Sequence, residues 1–394
     1  MIPEPESQDI LESRYGSVPL RIFLYSISLF IVVSFSELFL RIFPQFSPLP
    51  PDTEIHSCSA HDKRYEPSPA FGYTEMPNAS YFERSSANDP WSYVHINSDG
   101  FRDNRNNTGG SAVLVLGDSF TRGSLVNETE AYSYLLETWN PDLSFHNFGV
   151  PGFGQANSVR LYEEKGSNTR HTLTIQQIYL GNDIDDNAKR ARLSGDGVRF
   201  EMGVGQKKNT SAVKELVLKV HLALLDGSRF YAWALNLSVG RFFNYAHARK
   251  DVDGAIEITR RLLSMLASMT RKNDADLLLL ILPAWNEIVG RDDGMEPERQ
   301  RAMLRHFAET SPRVHLLDMT PILVNEDPDR IYGVKDKHFA PYGHYLVAVA
   351  IDRWIAQQKG RTAPREYSFI PAPAVDEPDC SKAQAYAKSI NPLL

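Results

Sequence analysis

Three short polar blocks interrupt apolar runs in this chain. VLVLGDSFTR, residues 113–122, ends an aliphatic run at Gly-Asp-Ser; NFGVPGFG (147–154) and LGND (180–183) close two later runs. Short runs of leucine and β-branched residues bounded by glycine pattern as buried strands, and in a parallel α/β sheet ligands bind in the loops beyond the strands' carboxyl ends. The three blocks therefore converge on one sheet edge. Ser119 is there either as a nucleophile or as a helix N-cap, because Ser and Asp satisfy the orphan N–H groups where a strand turns into a helix. Toward the other end, VKDKHFAPYGH (334–344) sets Asp336 and His338 in a loop just before an amphipathic stretch. A serine hydroxyl is a poor nucleophile until an imidazole takes its proton, and a carboxylate fixes the imidazole tautomer and stabilises its cationic form.

Taken in order, these blocks resemble the GDSL-type, or SGNH, hydrolases. The resemblance covers roughly residues 90–358, and the series NSDGFRD, GDSF, GVPGFG, GND, DxH is similar to membrane-anchored envelope members that act on acylated glycans. It implies a flavodoxin-like three-layer α/β sandwich around a central parallel sheet of about five strands. It also implies Ser119 as nucleophile, His338 as general base, Asp336 as the group that orients the histidine, and an oxyanion hole from Ser119, Gly152 and Asn182. Each such donor is typically worth about 3 kcal/mol in the transition state. Two features depart from the common pattern: Asp336 and His338 are separated by one residue, as in an acetyltransferase-like branch that modifies exopolysaccharides, and the third block reads Gly-Asn-Asp without an intervening residue.

The activity implied is ester hydrolysis through an acyl-enzyme, on an acylated carbohydrate or lipid of the cell envelope, with no cofactor and no metal. A polysaccharide O-acetyltransferase using the same residues is the alternative, and a non-catalytic glycan-binding scaffold is a third reading. Asp118, Asp183, Trp285, Asn286 and Arg102 are candidate substrate contacts. Trp285 either stacks on a sugar ring or completes the core, and Arg102 either holds a substrate anion or pairs with Asp103 or Asp118. The acidic run NDIDDN (182–187) lacks the glycine and distal glutamate of an EF-hand loop and reads as a solvated helix start. His146 and His344 read as structural histidines.

Around these blocks the chain alternates strand-like and amphipathic stretches, the signature of a parallel α/β sheet. Strands are expected at 112–117, 143–149, 174–181, 276–283 and 314–319, and helices near 130–138, 154–165, 253–272, 295–309 and 342–358. The domain reading is an N-terminal cytoplasmic segment (1–21), a transmembrane signal anchor (22–43), a linker and extension (44–109), the hydrolase domain (110–360) with a helical insertion at about 190–250, and an irregular tail (361–394). Residues 22–43 are apolar for long enough to cross a bilayer, and Glu37 and Arg41 stand one helical turn apart. Basic residues before the span put the catalytic domain outside the cytoplasm.

Composition narrows the partners. The 394 residues carry a formal charge of −7 without long charged runs, so no electrostatic footprint for nucleic acid is present. The two cysteines, Cys58 and Cys380, lack zinc-site spacing and are expected to pair only if the domain lies in an oxidising compartment; two free thiols fit equally well.

Overall fold

The computed structural model describes residues 18–42, 54–59, 63–85, 89–103, 110–202, 251–291, 296–333, 336–360 and 365–381. By its contacts the chain divides into two units, residues 1–50 with 207–246 and residues 51–206 with 247–394. Of the first unit only helix α1, Val18–Ile42, is described. Its apolar portion Leu20–Ile42 has 23 residues. At 1.5 Å per residue that is about 35 Å, enough for a hydrocarbon core of about 30 Å. Near its end Arg41 bonds Glu37 at 2.7 Å, so the two charges meet one turn apart as their spacing predicts.

The second unit begins with short strands: β1 (Glu54–Ser57), β2 (Tyr65–Ser68), β3 (Gly72–Glu75), β4 (Ser80–Arg84) and β5 (Ser92–His95). They pair antiparallel as β1-β4-β5 and as a β2–β3 hairpin. Then come β6 (Ser111–Gly117), β7 (Leu143–Gly149), β8 (His171–Tyr179), the hairpin β9 (Ala191–Ser194) and β10 (Gly197–Phe200), β11 (Asp276–Leu282) and β12 (Val314–Asp318). Five of these form one wholly parallel sheet in the order β12-β11-β8-β6-β7. The expected strands match β6, β7, β8, β11 and β12 to within three residues at either end.

Continuous apolar strands must be covered on both faces, and they are. The helices of the second unit are α2 (Ser119–Arg122), α3 (Tyr132–Trp139), α4 (Gln155–Glu164), α5 (Asp183–Arg190), α6 (Val252–Lys272), α7 (Trp285–Ile288), α8 (Pro297–Thr310), α9 (Thr320–Leu323), α10 (Pro328–Ile331) and α11 (Pro341–Gln358). Alternate residues of β11 divide between two cores: Leu277, Leu279 and Ile281 pack with α4, α6 and α8, whereas Leu278, Leu280 and Leu282 pack with α3 and α11. The result is a three-layer flavodoxin-like sandwich. Its strand order reverses between β6 and β8, and such a switch point opens a crevice beyond the carboxyl ends of the two strands.

The insertion expected to be helical opens instead with the β9–β10 hairpin, paired from Ala191↔Phe200 to Ser194↔Gly197. Exposed alternation across a glycine turn favours a hairpin over a helix there. Residues 203–250 lie outside the described residues. The tail over 365–379 has no regular element beyond a bridge of Val375 to Trp91, and Cys380, where a helical turn begins, is joined to Cys58 by a disulfide.

Candidate active site

At the switch point β6 ends in Gly117, and the next residues form the single turn α2 with Ser119 as its first residue. Asp118 is the N-cap: its carboxylate accepts the Phe120 N–H at 2.8 Å, and its own N–H donates to Gln177 Oε1 at 2.9 Å. Gly117 has to be glycine, since a Cβ there would run into Thr121 Oγ1 and Gln177 Oε1. The cap role expected of this dipeptide thus falls to Asp118. Ser119 is left with its side chain half-buried and directed at the histidine loop.

His338 reaches Ser119 from the loop between α10 and α11. Its Nε2 lies 2.8 Å from Ser119 Oγ, and its Nδ1 lies 3.2 Å from Asp336 Oδ2. Asp336 Oδ1 also accepts the His338 main-chain N–H at 3.1 Å, so one carboxylate fixes both the ring and the backbone of the histidine. With a proton on Nδ1 donated to Asp336, Nε2 is free to accept the serine proton. The His338 side chain is 32% exposed, open to a reactant. The one-residue spacing of Asp336 and His338 therefore suffices for the orienting bond.

Gly152 stands in the loop after β7. Val150 to Phe153 form a turn closed by a 3.1 Å bond, with Pro151 second and Gly152 third at φ +76°, the conformation glycine supplies in a type II turn. Among the described residues the main-chain N–H groups of Ser119 and Gly152 meet no protein acceptor. Asn182, N-cap of α5, donates one Nδ2 hydrogen to Asp186 Oδ2 at 3.0 Å. Its second amide hydrogen remains for another acceptor.

The proposed substrate contacts divide. Asp118 is 2% exposed and Asp183 is equally enclosed, held by Gln155 Nε2 at 2.6 Å and the Tyr179 N–H at 3.0 Å. Burial pushes the Asp118 carboxyl up to about 7 and Asp183 well above the usual carboxylate range. Both lie beneath the site and support it, so neither faces a substrate. Arg102, also 2% exposed, pairs with neither Asp103 nor Asp118; it donates to the carbonyls of Tyr93 and Val126 at 2.8 Å and to that of Gly123. Asp103 approaches His146 instead, at 3.4 Å. Trp285 and Asn286 begin α7 just beyond β11, on the same sheet edge. The Trp285 ring, however, is engaged by Lys337 at 3.8 Å and Arg291 at 5.0 Å, and it packs against the core. His344 is buried and stacked on Tyr132, and burial lowers it to about 3, leaving it neutral.

Sequence reasoning missed the residues that hold α2 in place. Arg122 is fully buried; it meets Glu75 of β3 at 3.1 Å and also bonds Glu83 and the Tyr81 hydroxyl of β4. Arg64 joins the cluster at 3.1 Å from Glu83. Burial alone would raise the Glu83 carboxyl, but Arg122, Arg64 and Arg102 outweigh it and hold it near 2. Nothing local in the sequence marks this cluster; the polar Gln177 inside apolar β8 marks only a second support of the same turn, its Oε1 accepting the Asp118 N–H at 2.9 Å and the Thr121 hydroxyl at 3.1 Å.

No family model matches the chain, and no curated protein matches it. Among solved structures it is similar to a member of the lipolytic protein G-D-S-L family from Veillonella parvula DSM 2008, at 9% identity and a TM-score of 0.38 over 63% of this chain and 97% of that one. The psychrotrophic esterase EstA from Pseudoalteromonas sp. is similar at 12% identity and a TM-score of 0.39, over 64% and 99% of the two chains. A two-domain esterase active on acetylated mannans is similar at 15% identity and 0.35, over 67% and 54%. The chain is thus similar to lipolytic proteins and esterases of the GDSL, or SGNH, type, and the roles of its own residues rest on the hydrogen-bonded series Asp336, His338, Ser119.

Proposed function

We propose that the protein is a serine ester hydrolase working through an acyl-enzyme, with an acylated carbohydrate or lipid of the cell envelope as substrate. The observation that carries this reading is the approach of His338 Nε2 to Ser119 Oγ at 2.8 Å with Asp336 behind the ring. Ser119 Oγ attacks the acyl carbonyl while His338 Nε2 takes its proton. The tetrahedral oxyanion accepts hydrogen bonds from the Ser119 and Gly152 N–H groups and from Asn182 Nδ2. His338 returns the proton to the departing alkoxide, and the bond from carbonyl carbon to alcohol oxygen breaks. Water, deprotonated by the same imidazole, then releases the acid and restores Ser119. A disulfide and an apolar N-terminal helix support a membrane-anchored enzyme whose catalytic domain lies in an oxidising, extracytoplasmic compartment.

The test is turnover of p-nitrophenyl acetate by the full chain in detergent, beside Ser119→Ala and His338→Ala variants with unchanged circular dichroism. Loss of at least a thousandfold in kcat for both variants is expected. A stoichiometric burst without turnover, followed by discharge of the acyl-enzyme on adding a sugar acceptor, makes the protein an O-acyltransferase. No release together with no labelling of Ser119 by a fluorophosphonate overturns the reading.

A further inference from the structure

Beside Gly152, between the β2–β3 hairpin and α5, lies a cavity of about 610 Å³. We propose that it is the subsite for the alcohol portion of the ester and that its occupant is an uncharged, hydroxyl-rich sugar. This rests on the ester-hydrolase reading above and narrows it from carbohydrate or lipid to carbohydrate.

Position comes first. Gly152 lines the cavity, and a Cβ on it would stand 2.9 Å from the Tyr73 hydroxyl, which itself donates to Pro151 O at 2.7 Å. One wall of the cavity is therefore part of the turn that presents the Gly152 N–H. Asp186, in the opposite wall, accepts the Asn182 amide at 3.0 Å. Two of the three oxyanion donors thus border this cavity directly or through one hydrogen bond.

The lining then selects the occupant. Five charged side chains, Glu66, Asp186, Lys189, Arg190 and Glu201, stand among the walls and disfavour a long acyl chain, which is best held by uniformly apolar walls. An anionic headgroup is disfavoured as well. Three of the five are carboxylates, Lys189 is bound to Asp186 at 2.8 Å, and Arg190 lies 3.9 Å from the same carboxylate. Tyr65 and Tyr73 meet edge to face at 5.5 Å and supply aromatic surface. Aromatic surface beside carboxylates and guanidinium groups already neutralised by one another suits hydroxyl groups, which donate and accept without carrying charge. The volume lies within the range of small-ligand clefts, about 300–1,000 Å³.

The experiment compares full-length wild type with Tyr65→Ala and Glu201→Gln on O-acetylated xylo-oligosaccharide, p-nitrophenyl acetate and p-nitrophenyl decanoate. Both variants are expected to lower the ratio of kcat/KM for the oligosaccharide to kcat/KM for p-nitrophenyl acetate tenfold or more. An unchanged ratio overturns the proposal, and a selective loss on the decanoate ester overturns it in favour of a lipid. Unacetylated xylo-oligosaccharide is titrated calorimetrically into Ser119→Ala, with and without Tyr65→Ala. Binding that Tyr65→Ala weakens tenfold supports the subsite even where no ester is turned over, in which case only the hydrolase reading falls. Normal p-nitrophenyl acetate turnover with no oligosaccharide binding overturns the subsite alone.

Discussion

At the residue scale, Ser119 stands directly after a buried acid that caps its helical turn. Asp118 caps α2 through Phe120 N–H and is enclosed with Asp183, while Asp186 and the His338 imidazole also act on it. Its carboxyl titrates near 7, against an ordinary value of 3.8. The folded chain holds this proton more tightly than the unfolded chain. The resulting stability is fully present below about pH 4 and is lost as the pH rises through 7. Asn keeps the oxygen that accepts Phe120 N–H and cannot ionise. Urea unfolding of Asp118→Asn should therefore show a flatter fall in stability between pH 4 and 8 than wild type, by at most roughly 4 kcal/mol for about three pK units. An identical slope in the two proteins would show that Asp118 is already ionised at neutral pH.

At the scale of elements, α2 is only one turn long and cannot hold its own orientation. It is secured from outside by β3 and β4, through the Arg122, Glu75 and Glu83 cluster. Removing one partner from a buried ionic cluster leaves uncompensated charge and costs about 3–5 kcal/mol, whereas removing all partners together costs much less. Arg122→Met should accordingly destabilise the protein by about that amount in urea, and adding Arg64→Met, Glu75→Gln and Glu83→Gln, so that no member of the cluster is left unpaired, should recover more than half of it. Because the cluster is buried, 1 M NaCl should change neither value much. Equal destabilisation of the single and quadruple variants would refute the cluster as the clamp. This clamp was not legible in the sequence, and the sheet was. Runs such as DLLLLIL in β11 declare a strand buried on both faces by composition alone. Strands like GYTE and SYFER are four or five residues long, and their buried glutamates find partners about forty residues away, a pairing no local pattern encodes. The site divides the same way: Ser119, Asn182 and His338 stand at strand ends and before a helix, where pattern and resemblance find them. The burial of Asp118, Asp183 and Arg102 follows from packing by segments remote in sequence.

At the scale of the second unit, its two ends are closed on each other beside the histidine loop. β1 pairs with β4, Cys58 just beyond β1 is bonded to Cys380, the Trp91 N–H donates to Val375 O at 2.8 Å, and Glu130 accepts the Ala372 N–H at 2.8 Å. Pro371 and Ala372 of the tail line a cavity of about 270 Å³ together with Asp336 and His338. The tail thus faces the His338 loop across this cavity, and the disulfide fastens the tail a few residues further on. A crosslink spanning 322 residues removes on the order of 6 kcal/mol of chain entropy from the unfolded state as a ceiling, and native disulfides usually deliver about 2–4 kcal/mol. The double variant Cys58→Ser, Cys380→Ser should lose stability by that smaller amount. It should also lose activity on p-nitrophenyl acetate well below its melting temperature, because the freed tail no longer supports the His338 loop. Dithiothreitol on the wild type should reproduce both effects and leave the double variant unaffected. If stability falls while kcat stays at the wild-type value, the disulfide fastens the fold alone and the tail has no part in positioning His338.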